Sequence, residues 1–348
     1  MPKKMKKTKT IQPEKKSETN SLEEITKYLK SALKNADVMV GSDPSLSIQR
    51  ISTGIRQFDD ILGGGLPKGR ITIFHGEESS GKSLLSYLCI AAAQRQGLVP
   101  GLVDVEHSFD PVWAQVLGID TSKLIIVTTY TGEDALSAAE EMVKAGVGMV
   151  VLDSIAALLP TAEDESAMGD QSIGLQPRML NKGLRRITQS ANKNGTVMLL
   201  INQVRDTIGR FPGLSGVTMP GGRAQKHHAS INVNISRGPS IKETVKDKDI
   251  KIGYIIRMTT VKNKTFHPVL TCELPFLFNG KLDLEKMVAL RAIELGVIKN
   301  SKGYTYEYPA FPDGRLLGKK GCIDFITEHP EVYEELAKLV EEAENNDN

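Results

Sequence analysis

Four residues in one short run have the types and spacing to hold a phosphate. Gly76, Gly81, Lys82 and Ser83 complete the pattern G-x-x-x-x-G-K-[ST] within the stretch HGEESSGKSLL that begins at His75. Glycines let the backbone turn its N–H groups inward around phosphate oxygens. Glu77, Glu78, Ser79 and Ser80 supply the intervening loop, Lys82 reaches the outer phosphates, and the Ser83 hydroxyl is offered to Mg²⁺. A nucleotide that is to be hydrolysed also needs carboxylates. Asp153 ends the apolar run VGMVVLD, where it can hold the Mg²⁺ water shell. Glu106 ends GLVDVE, where it can orient and deprotonate an attacking water. Asp104 is the rival base on the same strand face, and the residue nearer the tip is favoured. Gln203 ends VMLLINQ, and an uncharged amide there can sense a γ-phosphate.

These groups act together only if their strands end on one edge. Short apolar runs recur from Ile71 to about Ile235: ITIFHG, GLVDVE, LIIVTT, VGMVVLD, TVMLLIN and ASINVNIS. The first five are separated mainly by stretches with helical spacing. Strands buried on both faces read this way, so the fold class is α/β: a mostly parallel sheet covered by helices. Its polar tips would meet at the carboxyl edge, where such sheets bind ligands. The stretch SLLSYLCIAAAQ after the loop is helical, so a positive helix end faces the phosphates. Residues 237–265, with GYIIRMTTVKNK, are β-branched and extend the sheet as a hairpin. From about Asp283 the order helix, glycine-rich turn, short strands, helix predicts a small α+β unit. In SLEEITKYLKSAL, Ser21 and Glu24 form a capping box, and Leu22, Ile25, Leu29 and Leu33 share a helical face. A stripe that short needs a partner surface, such as a neighbouring subunit. The expected organisation is a disordered basic tail (1–20), an oligomerisation helix and linker (21–44), an ATPase core (45–280), a small C-terminal domain (281–335) and an acidic tail (336–348).

At 348 residues, with 40% hydrophobic and 25% charged composition, the chain can bury a sizeable core and is not a disordered polymer. The net charge of +2 argues neither for nor against a nucleic-acid partner. Charge is instead placed at the ends: seven lysines against one glutamate in residues 1–16, seven acids against one lysine in residues 331–348. Both read as solvated tails. Cys89, Cys272 and Cys322 are widely separated and lack CxxC spacing, which argues against a zinc site and a disulfide scaffold and fits a reducing cytoplasm. No apolar run of ~18 residues predicts a membrane span.

The motifs, in order, resemble one family. GEESSGKSLL, DVEHSFDPVWAQVLGID, TGEDALSAAEEMVKAG, VVLDSIAALLPTAE, MGDQSIGLQPRML, LLINQVRDTIG, PGGRAQKHHASINVNI and VKNK follow the order and rough spacing of the bacterial RecA recombinases. The resemblance spans roughly residues 45–340 and includes the C-terminal ELGVIKNSKGYTYEY. It implies a DNA-dependent ATPase with a RecA-like core. Such a protein uses ATP and Mg²⁺, forms a helical filament on single-stranded DNA and exchanges homologous strands with duplex DNA. By the same resemblance Lys82 and Ser83 serve phosphate and Mg²⁺, Asp153 is the Walker B aspartate, and Glu106 is the catalytic glutamate. Asp110 and Trp113 sit where the family contacts the adenine edge and stacks an aromatic on it. Gln203 resembles the glutamine that couples γ-phosphate to DNA. Lys262 and Lys264 resemble lysines that reach the ATP of a neighbouring subunit, which would complete the site only in a filament.

The DNA loops are then the two stretches with least apolar patterning, about Glu163–Gly174 and Arg205–Arg223. Arg178, Arg185, Arg205, Arg210, Arg223 and Lys226 would contact phosphates, giving affinity without base reading. Ile173, Phe211 and Met219 are apolar candidates for wedging between bases. Lys299, Lys302, Arg315, Lys319 and Lys320 form a candidate basic face on the small domain for gathering duplex DNA. Several positions depart from the family. His227 replaces a commonly aromatic residue, the second loop differs strongly, and Pro177 lies near a helix start. The alternative readings are a related RecA-fold motor, such as a helicase or branch-migration ATPase, and a non-enzymatic DNA-coating protein. The intact Lys82, Asp153 and Glu106 oppose the coating reading, and VKNK opposes the motor.

Overall fold

The computed structural model describes residues 21–165, 174–207, 216–218, 220, 222–245 and 248–346. The chain divides into two compact units, Met1–Ile48 and Gln49–Asn348. In the first, helix α1 (Leu22–Ala32) starts with the expected capping box. The Glu24 N–H donates to Ser21 Oγ at 3.3 Å, and the Ser21 N–H donates to Glu24 Oε2 at 3.0 Å. No residue of α1 is buried, and Leu22, Ile25 and Leu29 stay exposed along one stripe.

The second unit opens with β1 (Arg50–Ile51), α2 (Arg56–Leu62) and β2 (Leu66–Pro67). The alternating region follows: β3 (Ile71–Gly76), α3 (Lys82–Arg95), β4 (Pro100–Asp104), α4 (Pro111–Val116), β5 (Ile125–Thr128), α5 (Gly132–Lys144), β6 (Met149–Asp153), α6 (Thr161–Asp164), α7 (Leu175–Asn194) and β7 (Val197–Gln203). A short hairpin, β8 (Arg205–Thr207) with β9 (Gly216–Thr218), precedes α8 (Arg223–His228). Then come β10 (Ile231–Val245), β11 (Lys248–Asn263) and β12 (Thr271–Leu277). The eight-stranded sheet has the order β12-β11-β10-β3-β7-β6-β4-β5. Neighbours from β10 to β5 pair in parallel, whereas β11 and β12 add antiparallel strands.

The uninterrupted apolar runs have a simple cause. Along β7, Val197, Leu199 and Ile201 enter one core, and Met198 and Leu200 enter the other. The first core packs α2 and α3 against the sheet, the second α5 and α7. One run departs from this pattern. β5 is the sheet's edge, and Ile125 and Ile126 remain 44% and 37% exposed, because a strand with one neighbour is covered less.

The small C-terminal part contains α9 (Leu284–Glu294), β13 (Lys299–Ser301), β14 (Thr305–Glu307), β15 (Arg315–Leu317), α10 (Lys319–Glu328) and α11 (Pro330–Asn346). Residues 336–346, read from composition as an acidic tail, are helical. Val332, Leu336 and Val340 recur every fourth residue and are buried against the small core, which leaves Glu331, Glu334, Glu335, Glu341 and Glu342 exposed and Glu344 turned inward. Arg291 on α9 joins this part to the rest of the unit. Its guanidinium donates to Asp60 Oδ2 on α2 (2.5 Å), Glu294 Oε2 (2.8 Å) and Glu344 Oε1 on α11 (2.8 Å). No helix among the described residues is long and apolar enough to cross a membrane.

Candidate nucleotide site and adjoining segments

β3 runs directly into the glycine-bounded loop, and α3 starts at Lys82. Gly76 has no alternative, since a Cβ there would stand 2.0 Å from the Ile235 carbonyl oxygen. Gly81 takes φ +100°, a left-handed turn that glycine adopts without strain. Lys82 is buried, and its Nζ donates to the carbonyls of Gly76 (3.1 Å) and Glu77 (2.5 Å). Burial lowers the pKa of this ammonium, while Asp153 and Glu106 pull it upward.

The Ser83 hydroxyl donates to Asp153 Oδ2 at 2.6 Å. Asp153 is 4% exposed, and burial pushes its pKa up to about 6. Glu106 and Asp104 push the same way, and the Ser83 hydrogen bond opposes them. A hydroxyl and a carboxylate converging at the start of α3 are the hard oxygen donors that Mg²⁺ takes. No group of three or more His, Cys, Asp or Glu among the described residues could cage a metal. Mg²⁺ would therefore draw its other ligands from phosphate and water, its usual habit.

The two carboxylates at the end of β4 have separate tasks. Asp104 is buried and accepts the N–H groups of Ser108 (3.2 Å) and Phe109 (3.0 Å), which fixes the loop. Glu106 lies in the cleft and accepts the Ser154 hydroxyl at 2.5 Å. The cleft encloses about 380 Å³ and is lined by the loop from Glu78 to Leu84 with Glu106, Asp153 and Gln203. Three further side chains that local patterning does not single out also line it: Arg237, Tyr254 and Phe278. They come from β10, β11 and the turn after β12. The Arg237 guanidinium lies 4.3 Å from the Tyr254 ring centroid, and the Tyr254 and Phe278 rings are 6.1 Å apart. No local signal marks them, because the register of the long hairpin brings them here.

Asp110 and Trp113 do not line this cleft. Asp110 caps α4 by accepting the Val112 N–H at 2.8 Å, and half-buried Trp113 packs edge-on to Phe276. Trp113 borders Gly280, in the turn that carries Phe278. Lys262 and Lys264 are also outside the cleft. Lys262 Nζ donates to the carbonyls of Ala229 (2.8 Å) and Lys226, and Lys264 Nζ donates to that of His227 (3.1 Å). Within the chain they hold the end of α8. Burial lowers the Lys262 pKa, with Lys264 adding to the effect.

Of the expected DNA-contacting residues, Ile173, Arg210, Phe211 and Met219 lie outside the described residues. Arg205 falls on β8 and Arg223 on α8, where the backbone alone is described. Arg178 and Arg185 are exposed on α7, and Lys226 is exposed on α8. Lys226 also lines a second cavity of about 570 Å³ beside the loop, with His75, Glu77, Glu78, Ser80 and Arg237. The second expected loop is not wholly irregular, since β8 and β9 pair within it. His228 Nε2 lies 3.3 Å from Asn181 Oδ1, which ties α8 to α7.

The RecA N-terminal domain family matches residues 18–283. Protein RecA of Acidothermus cellulolyticus is 38% identical over 312 residues, covering 89% of this chain and 88% of that protein. Protein RecA of Thermus aquaticus is 37% identical over 328 residues, covering 93% and 94%. Protein RecA of Chlorobium chlorochromatii is 40% identical over 301 residues, covering 85% and 82%. A match of that length, over a sheet whose carboxyl edge carries the glycine-bounded loop and its carboxylates, places the chain in the RecA family.

Proposed function

We propose that the protein is an ATP-dependent DNA recombinase. It assembles as a filament on single-stranded DNA, hydrolyses ATP when DNA is bound, and pairs that strand with homologous duplex. The observation that carries this reading is the convergence of Lys82, Ser83, Asp153, Glu106 and Gln203 on one cleft. The loop N–H groups and the start of α3 take the phosphates. Lys82 neutralises the outer phosphate oxygens by exchanging its loop carbonyls for them. Ser83 and Asp153 would hold Mg²⁺, which would supply neutralisation of the phosphate charge. Glu106, steadied by Ser154, orients the attacking water and takes its proton. Gln203 contacts the γ-phosphate, so β7 differs between ATP and ADP states. Arg178, Arg185 and Lys226 with the two loops meet DNA phosphates. Lys262 and Lys264 approach the nucleotide of the adjoining subunit.

The test is ATP turnover with and without single-stranded DNA, paired with electron microscopy. Stimulated turnover and extended filaments are expected. DNA-independent turnover together with closed rings would refute the reading.

A further inference from the structure

Two amide side chains are buried where an apolar core would ordinarily be filled with hydrocarbon. Asn202, next to Gln203 on β7, and Gln225 on α8 are both 0% exposed. An amide at such a position is costly unless bonded, and although Asn202 Oδ1 has no partner, the bonds made by the two NH₂ groups define the task of the pair. Asn202 Nδ2 donates to Gln225 Oε1 at 2.6 Å and to the Pro220 carbonyl at 3.2 Å. Gln225 Nε2 donates to the same carbonyl. One backbone oxygen thus receives both amides. Pro220 stands where the second loop returns to the body of the protein, just before α8. Asn202 is also the ladder partner of His75, the residue before Gly76 of the phosphate loop.

The loop's departing limb is fixed covalently, because it leaves β7 directly after Gln203. Its returning limb has no covalent tie to that strand. We infer that Gln225 is a positioning residue: with Asn202 it clasps the Pro220 carbonyl to the tip of β7, so both limbs of the loop follow Gln203. Both amides are buried and Pro220 is half-buried, so water competes little for these hydrogen bonds and a shift of β7 is carried to the loop. The inference rests on the reading of Gln203 as the γ-phosphate contact and of this loop as a DNA contact.

Coupling between two ligands is reciprocal: if nucleotide tightens DNA by some factor, DNA tightens nucleotide by the same factor. The probes are a fluorescently labelled oligothymidylate and a non-hydrolysable ATP analogue with Mg²⁺. Each affinity is measured with and without the other ligand. In the wild type both factors should agree and exceed about fivefold, the low end of such couplings. In Gln225→Leu both should fall towards one, while each affinity measured alone changes less than about twofold. Asn202→Ala should produce the same loss, and the double variant should lose no more than either single one. Gln225→Met, near the original length but without a donor, guards against a packing defect in the Leu variant. Coupling retained in both Gln225 variants would overturn the inference and leave the recombinase reading intact. Loss of analogue binding in the absence of DNA, in both, would also overturn it, because the residue would then only support the fold. A wild type with no coupling would overturn the assignment of Gln203 and the loop, and the clasp with it.

Discussion

Acidification should expose a buried, uncharged histidine beside the phosphate loop. His75 is 8% exposed, its Nδ1 has no partner, and burial, with Lys226 and Lys82 adding, lowers its pKa from 6.5 to about 4. Between these values the unfolded chain binds a proton that the folded chain refuses. This contribution is therefore harmless above pH 6.5, and stability is lost as pH falls towards 4. The gap from 6.5 to about 4, at about 1.36 kcal/mol per pH unit, gives roughly 3 kcal/mol in full. At pH 5.0 about 2 kcal/mol of that is expressed. Asp153 has the opposite sign. Its pKa is raised from 3.8 to about 6, so the folded state binds the extra proton and this contribution favours folding as pH falls through the same range. The wild-type profile is thus a partial cancellation, and the useful quantity is a difference. His75→Phe removes one titration and keeps an aromatic ring in place. Urea unfolding can be followed through the single tryptophan, Trp113, at pH 7.5 and 5.0. Relative to wild type, the variant should gain about 2 kcal/mol on going to pH 5.0. An unchanged difference at the two pH values would mean that His75 titrates as an ordinary imidazole, and the reasoning would fail.

Glu106→Gln should leave nucleotide binding in place and slow hydrolysis by roughly 10²–10⁴, read as steady-state phosphate release against equilibrium nucleotide binding. Arg291→Leu removes a nearly buried guanidinium from carboxylates on three helices. Asp60 and Glu294 are 34% and 60% exposed, so the cost should fall below that of a fully buried pair, at about 2–3 kcal/mol, with faster amide exchange in α11. A Lys262→Ala, Lys264→Ala variant should bind nucleotide but lose DNA-stimulated turnover. Mixing it with Glu106→Gln should restore part of that turnover through junctions where each subunit supplies what the other lacks. Inactive mixed filaments would remove the shared-site role.

The site was legible in the sequence where its chemistry is local. The phosphate loop is a run of eight residues, and Asp153, Glu106 and Gln203 each end an apolar run, so strand direction alone puts them on one edge. The hairpin was legible as β-branched sequence, but its consequences were not. Arg237 and Tyr254 are set beside the loop by a register with bulges at Arg237/Ser240 and Ile241/Lys242, and which residues come opposite each other is decided across the hairpin, not within either stretch. Composition misled at the C-terminus. Acids are crowded along α11, yet Val332, Leu336 and Val340 at intervals of four suffice to bury one face. Asp110 and Trp113 were placed by resemblance, and no spacing rule states which way α4 turns them.

α8 shows how such long-range bonds bear on function. A helix of six residues cannot hold itself by its own turns, so its position is set by what grips it. Gln225 binds it to β7, His228 to α7, and Lys262 and Lys264 to β11. The two ammonium groups sit at its carbonyl end, where the helix dipole favours positive charge. An ammonium has three donors, and Lys262 directs two of them at the carbonyls of Lys226 and Ala229. If these lysines also meet a neighbour's γ-phosphate, the phosphate competes with those carbonyls for the same protons. Engagement across the subunit boundary then loosens the carbonyl end of α8, while the Gln225 clasp still ties its other end to the subunit's own nucleotide strand. One short helix would in that case respond to two nucleotides, its own through β7 and the neighbour's through β11, and it lies directly after the loop assigned to DNA.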